Sequence, residues 1–179
     1  EIADVAGVNQ ALLHYYFRSK DRLAAAVFRQ AARQLMPRVI AVLGSDASIE
    51  EKVEQVVHLE IEQLARAPYL PGYILSELSH DPDRVHQLIA AMMGVQPDGF
   101  VPHVFATLKR QLSERARAGT MRRIAPEQFV INLLALCIFP FAAKPMLMAI
   151  LQLDQSGFDR LMTRRRREIT TFVLNALRP

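Results

Sequence analysis

The chain is expected to be all-α, on three observations. Apolar residues recur at spacings of three and four over long stretches, as in Leu23, Val27, Phe28, Ala31, Leu35, Val39 and Val42, which is the period of one helix face. No segment alternates apolar and polar residues as a half-buried strand does. Glycine and proline are sparse, 7 and 10 of 179 residues, so few breaks interrupt the helical runs.

The elements follow in order. Ile2, Ala3, Val5 and Ala6 form a short apolar face, and Gly7 ends it because glycine takes the left-handed C-cap conformation at little steric cost. Val8 follows as a core plug. Asn9 offers an N-cap oxygen to a second helix from about Gln10 to Tyr15. That helix turns Leu13, Tyr16 and Phe17 inward, and Gln10, Ala11, His14 and Tyr15 outward. Helix, glycine-containing turn and helix make the helix-turn-helix outline. Ser19 caps a long helix, in which Pro37 predicts a kink. Ser48 and Glu51 form a capping box before a stripe of Ile49, Val53, Val56, Val57, Ile61 and Leu64. Pro68 and Pro71 end that helix.

Tyr69 to His80 is a further short helix, and Asp81 with Pro82 opens another that reaches about Met93. Gly94, Pro97 and Gly99 mark a loop before a helix from Phe100 to Ala118. Pro126 starts Glu127 to Phe141, Lys144 to Leu153 is short, and Gly157 to Arg178 is last, with Phe158, Leu161, Met162, Ile169, Phe172, Val173 and Leu177 as its stripe.

Composition narrows the function classes. The chain is 51% hydrophobic and 22% charged, which fits a packed protein rather than a disordered one. Its net charge of +4 and pI near 9.6 suit a polyanionic partner without identifying one. Cys137 is the sole cysteine, so no internal disulfide forms. A reducing cytoplasm fits, and its apolar surroundings point to a core residue. The most membrane-like stretch, Phe129 to Leu151, contains Asn132, Pro140, Lys144 and Pro145. It is expected as two buried helices broken at the prolines rather than a membrane span. No signal peptide shows. No G-x-S-x-G, P-loop or Cys–His pattern suggests an enzyme. His58 and Glu62 lie four apart, but no third ligand joins them, so neither metal nor cofactor is expected.

The string IADVAGVNQALLHYYFRSKDRL resembles the signature of the tetracycline-repressor (TetR) family of bacterial regulators, in Ile2, Ala3, Ala6, Gly7, Val8, Leu13, Tyr16, Phe17, Ser19, Lys20 and Leu23. Asn9 stands in place of the usual Ser, Leu12 where a small hydroxyl residue is common, and His14 where Tyr is common. Weaker likeness extends beyond residue 119. In the family a helix and the start of the next come before the position of Ile2, so the helix-turn-helix is expected to be incomplete here. The resemblance implies two units. Residues 1–43 would be a partial DNA-binding unit plus linker helix, and residues 44–179 a helical ligand-binding and dimerisation domain.

The resemblance also implies a homodimeric regulator, most simply a repressor, bound to double-stranded palindromic operator DNA and modulated by a small apolar or amphipathic effector. A helical ligand or interaction module without DNA binding is the alternative. The expected DNA contacts are Asn9, Gln10, Ala11, Leu12, His14, Tyr15 and Lys20, because a recognition helix presents its N-terminal side chains to base edges. His58, Glu62, Tyr69, Tyr73, Met92, Met93, Phe100, His103 and Phe105 are candidates for an apolar effector pocket with a few orienting polar groups. Phe129, Leu133, Leu136, Phe158, Leu161, Arg165, Ile169, Phe172 and Val173 are expected at the dimer interface. The run Arg164–Arg167 reads as a solvated rim, with Arg164 able to pair with Glu168.

Overall fold

A computed structural model describes residues 2–68, 70–80 and 97–179. The helices among the described residues are α1 (Ile2–Ala6), α2 (Gln10–Phe17), α3 (Lys20–Gly44), α4 (Ile49–Arg66), α5 (Leu70–His80), α6 (Pro97–Arg117), α7 (Pro126–Ala142), α8 (Lys144–Ile150) and α9 (Gln155–Ala176); no strand occurs among them.

Local chemistry sets most boundaries. Gly7 adopts a φ of +65° and lets the chain turn from α1 into α2. The Asn9 side chain accepts from the Ala11 amide at 2.8 Å, and Ser19 accepts from Arg22 at 3.2 Å. Ser48 and Glu51 close the reciprocal capping box at 3.2 and 2.8 Å. Asp154, not foreseen as a cap, accepts from the Gly157 amide at 2.7 Å and starts α9 two residues early.

α3 carries Pro37 within its helical range. Several expectations change. Pro97 and Gly99 lie inside the first turn of α6 rather than in a loop, since a proline there has no amide that an intrahelical bond would need. Pro71 likewise falls in the first turn of α5, and α4 ends at Arg66 ahead of Pro68. Pro140 sits inside α7, and the break comes at Ala143, where α7 and α8 meet at 71°. Among the described residues no single helix is long and apolar enough to cross a membrane, although this bent pair has the length and composition of a broken span. The expected helix at 81–93 lies outside the described residues.

The core is one cluster built on α4. Val53, Val56, Val57, Ile61 and Leu64 meet Val39, Ile40 and Leu43 of α3, Leu108 and Leu112 of α6, Phe129, Leu133 and Cys137 of α7, and Phe158, Met162, Ile169 and Val173 of α9. The second half of α3 therefore belongs to the large core, while its first half carries α1 and α2. At the end of α3, Gly44 allows close approach to α6: a Cβ there would stand 3.2 Å from Val104 Cγ2.

Buried and half-buried polar groups tie the helices together. Lys52 is fully buried and donates to the Leu43 carbonyl at 2.8 Å and to Gln111 Oε1 at 2.6 Å. Gln111 donates onward to the Ala47 carbonyl at 3.0 Å. Arg115 grips Glu50 with both terminal nitrogens, at 2.8 and 3.1 Å, and holds that carboxyl below its ordinary pKa. Lys144 is buried against the Phe158 ring and donates to Gln155 at 2.8 Å.

Candidate nucleic-acid interface

The Asn9 cap fixes where α2 begins, and the first turn after it carries exposed Gln10, Ala11 and Leu12. His14 and Tyr15 follow, also exposed. Tyr15 stacks edge-on against Tyr16 at 5.4 Å, and the Arg18 guanidinium lies 5.8 Å from the Tyr15 ring. Arg18 caps α2 with φ +63°, a conformation no glycine signals in the sequence. The Lys20 side chain lies outside the described set; its backbone opens α3.

This unit differs from the expected packing. Val8, expected in the core, is 46% exposed, and Tyr16, expected to face inward, is 73% exposed. Val8, Leu12 and Tyr16 stand four apart and form an open stripe, because α2 packs on α1 and α3 and leaves that side uncovered. Leu13 and Phe17 are half-buried, as their inward placement requires.

Four of the effector candidates have described side chains: His58, Glu62, His103 and Phe105. His58 and Glu62 lie on the outer face of α4, 3.4 Å apart, in a surface chain that continues to Arg66 at 2.6 Å. His103 is exposed and Phe105 half-buried on α6. Tyr69, Met92 and Met93, and the side chains of Tyr73 and Phe100, lie outside the described residues. Among the described residues, no group of three His, Cys, Asp or Glu side chains is placed to hold a metal ion.

Glu60 was missed by the sequence reading. It is buried at the centre of α4, and desolvation pushes its carboxyl pKa up to about 7. The signal was present, since Glu60 falls on the apolar spacing Val53, Val57, Glu60, Leu64. Cys137, nearby on α7, has its thiol pushed up to about 12 by burial, which fits an inert core residue.

Five of the expected interface residues belong to the chain's own core. Phe129, Leu133, Phe158, Ile169 and Val173 are buried within the chain, because α7 and α9 turn that stripe onto α4. Leu136, Leu161 and Arg165 are half-buried, and Phe172 is 63% exposed. With Phe139, itself exposed, Leu136, Arg165 and Phe172 border an apolar groove of about 550 Å³ between α7 and α9. Arg165 donates to the Leu136 carbonyl at 3.1 Å while its Nε is buried with no partner among the described residues. No Arg164–Glu168 ion pair occurs among the described residues.

An all-helical chain with a capped, outward-facing second helix after a glycine turn defines the helix-turn-helix class. Residues 1–27 match the family described as bacterial regulatory proteins, tetR family. The chain is 32% identical over 95 residues to the HTH-type transcriptional regulator BetI of Brucella anthropi, covering 50% of this chain and 49% of that protein. It is 31% identical over 124 residues to BetI of Brucella canis, covering 66% and 59%. An uncharacterized HTH-type transcriptional regulator of Mycobacterium tuberculosis is 29% identical over 100 residues, covering 53% and 43%. Residues 1–27 are thus similar to the tetR family of regulators, and the chain spans about half to three fifths of the length of these BetI relatives.

Proposed function

We propose that this chain serves a homodimeric DNA-binding transcription regulator, acting in the cytoplasm as a repressor whose operator affinity changes when a small molecule binds. The observation that carries the reading is α2, where the Asn9 cap fixes a helix start from which Gln10, Ala11, His14 and Tyr15 project into solvent. Gln10 is suited to bidentate pairing with adenine, and His14, Tyr15 and Lys20 to bases or phosphates. Two copies of α2, related by a two-fold axis, would read a palindromic site.

The α7–α9 groove supports the dimer, with Phe139 and Phe172 as its apolar contacts. Residues 44–179 form the effector and dimerisation unit in this reading, and residues 1–43 the DNA-reading unit and its link. α3 suits the role of link because its second half is packed into the large core while its first half bears α1 and α2. A ligand that displaces α6 would act on α3 through their contact at Gly44 and Val104. The test is binding of the full-length protein to its own upstream promoter DNA, with and without a panel of apolar and amphipathic compounds. Salt-sensitive binding that one compound releases supports the reading. A folded dimer that binds no promoter fragment, with or without compounds, contradicts it.

A further inference from the structure

Three arginines without an ionic partner among the described residues face one groove. Helices α3, α4 and α9 enclose a space of about 1170 Å³, bordered by Arg38 of α3 and by Arg164, Arg166 and Arg167 of α9. α9 thus shows Phe172 to the apolar groove on one flank and this arginine set on the other. Arg166 is held in place, its Nη1 2.8 Å from His58 Nδ1. A guanidinium only donates, so Nδ1 accepts, and the neutral ring carries its proton on Nε2, toward Glu62. Arg38, Arg164 and Arg167 are exposed, and no ion pair or side-chain hydrogen bond engages them among the described residues. The carboxylates lining the groove are Glu54 and Glu168, so four guanidinium groups face two acids. Val42 and Leu59 add apolar surface to the same lining.

We propose that this groove is a binding site for a small amphipathic anion, an oxyanion head group joined to a short apolar tail. The planar guanidinium fork matches a phosphate or carboxylate in bidentate fashion, and three unengaged forks at one groove offer that match more than once. The tail lies on Val42 and Leu59. Two features favour such a ligand over a nucleic-acid backbone. Glu54 and Glu168 would repel a continuous line of phosphates, and the apolar strip has no counterpart on a sugar–phosphate chain. The occupant would bridge α3 to α9.

The test is calorimetric titration of the full-length protein with hexyl phosphate, hexanol and inorganic phosphate. Hexyl phosphate is expected to bind more tightly than either of its parts. The double variant R164Q/R167Q, altered at two exposed positions, should weaken binding at least tenfold, and R164K/R167K should restore part of it. No heat of binding up to millimolar hexyl phosphate overturns the proposal, as does a double variant that binds within twofold of the wild type. If hexyl phosphate fails while R164Q/R167Q lowers affinity for random-sequence duplex DNA, the arginines belong to a nucleic-acid contact and the proposal is wrong.

Discussion

Lys52 Nζ lies 2.6 Å from Gln111 Oε1, in a position where the ammonium is fully buried and also satisfies the Leu43 carbonyl at the end of α3. One side chain of α4 thereby fixes α3 and α6 together. Burial lowers the pKa of Lys52, so the charge depends on these acceptors for its place in the interior. Lys52→Met keeps much of the volume and removes the donor. It should cost about 1–3 kcal/mol of stability by leaving buried acceptors unpaired. Urea denaturation measures this, and a variant as stable as wild type would show that water or repacking replaces the link.

Glu60 predicts a pH effect of definite sign. Its carboxyl is raised from 4.5 to about 7 in the folded chain. The folded state therefore holds a proton between those values that the unfolded state has released. The group's contribution is fully present below about pH 4.5 and is lost as pH rises through about 7. Glu60→Gln should change stability little at pH 4.5 and raise it by up to about 3 kcal/mol, relative to wild type, at pH 8. Denaturation curves at the two pH values decide. An equal effect at both would mean that the carboxyl titrates alike in the folded and unfolded chains.

Phe129 and Phe172 separate core from surface on α7 and α9. Phe129 is 1% exposed, so Phe129→Ala should cost about 3–5 kcal/mol. Phe172→Glu should leave the protomer folded and shift the protein from dimer to monomer in sedimentation. A dimer unaffected by Phe172→Glu would move the interface away from the α7–α9 groove.

The fold was largely legible because helix signals are local. Caps at Asn9, Ser19 and Ser48, the glycine turn at Gly7 and the α4 stripe all act within a few residues of themselves. What the sequence left open depends on which neighbour a face meets. α7 is apolar on nearly every side, PEQFVINLLALCIFPFA, so nothing local tells that Phe129 and Leu133 face α4 while Phe139 faces out. Pro97 was read as a loop marker yet lies in the first turn of α6, since a proline's effect depends on whether an amide was needed there. The start of α2 was legible because its Asn9 cap is local. Which side chains line an effector pocket is not a local property, because a pocket is assembled from distant helices.

The central claim is that α2 reads DNA. The most direct measurement is the affinity of full-length protein for its promoter fragment at two salt concentrations, compared with Gln10→Ala. The account predicts that Gln10→Ala weakens specific binding about tenfold or more, a loss of roughly 1–3 kcal/mol, with thermal stability and random-sequence binding unchanged. Equal affinity of wild type and Gln10→Ala for the promoter, or no promoter binding by the folded full-length protein, would contradict it.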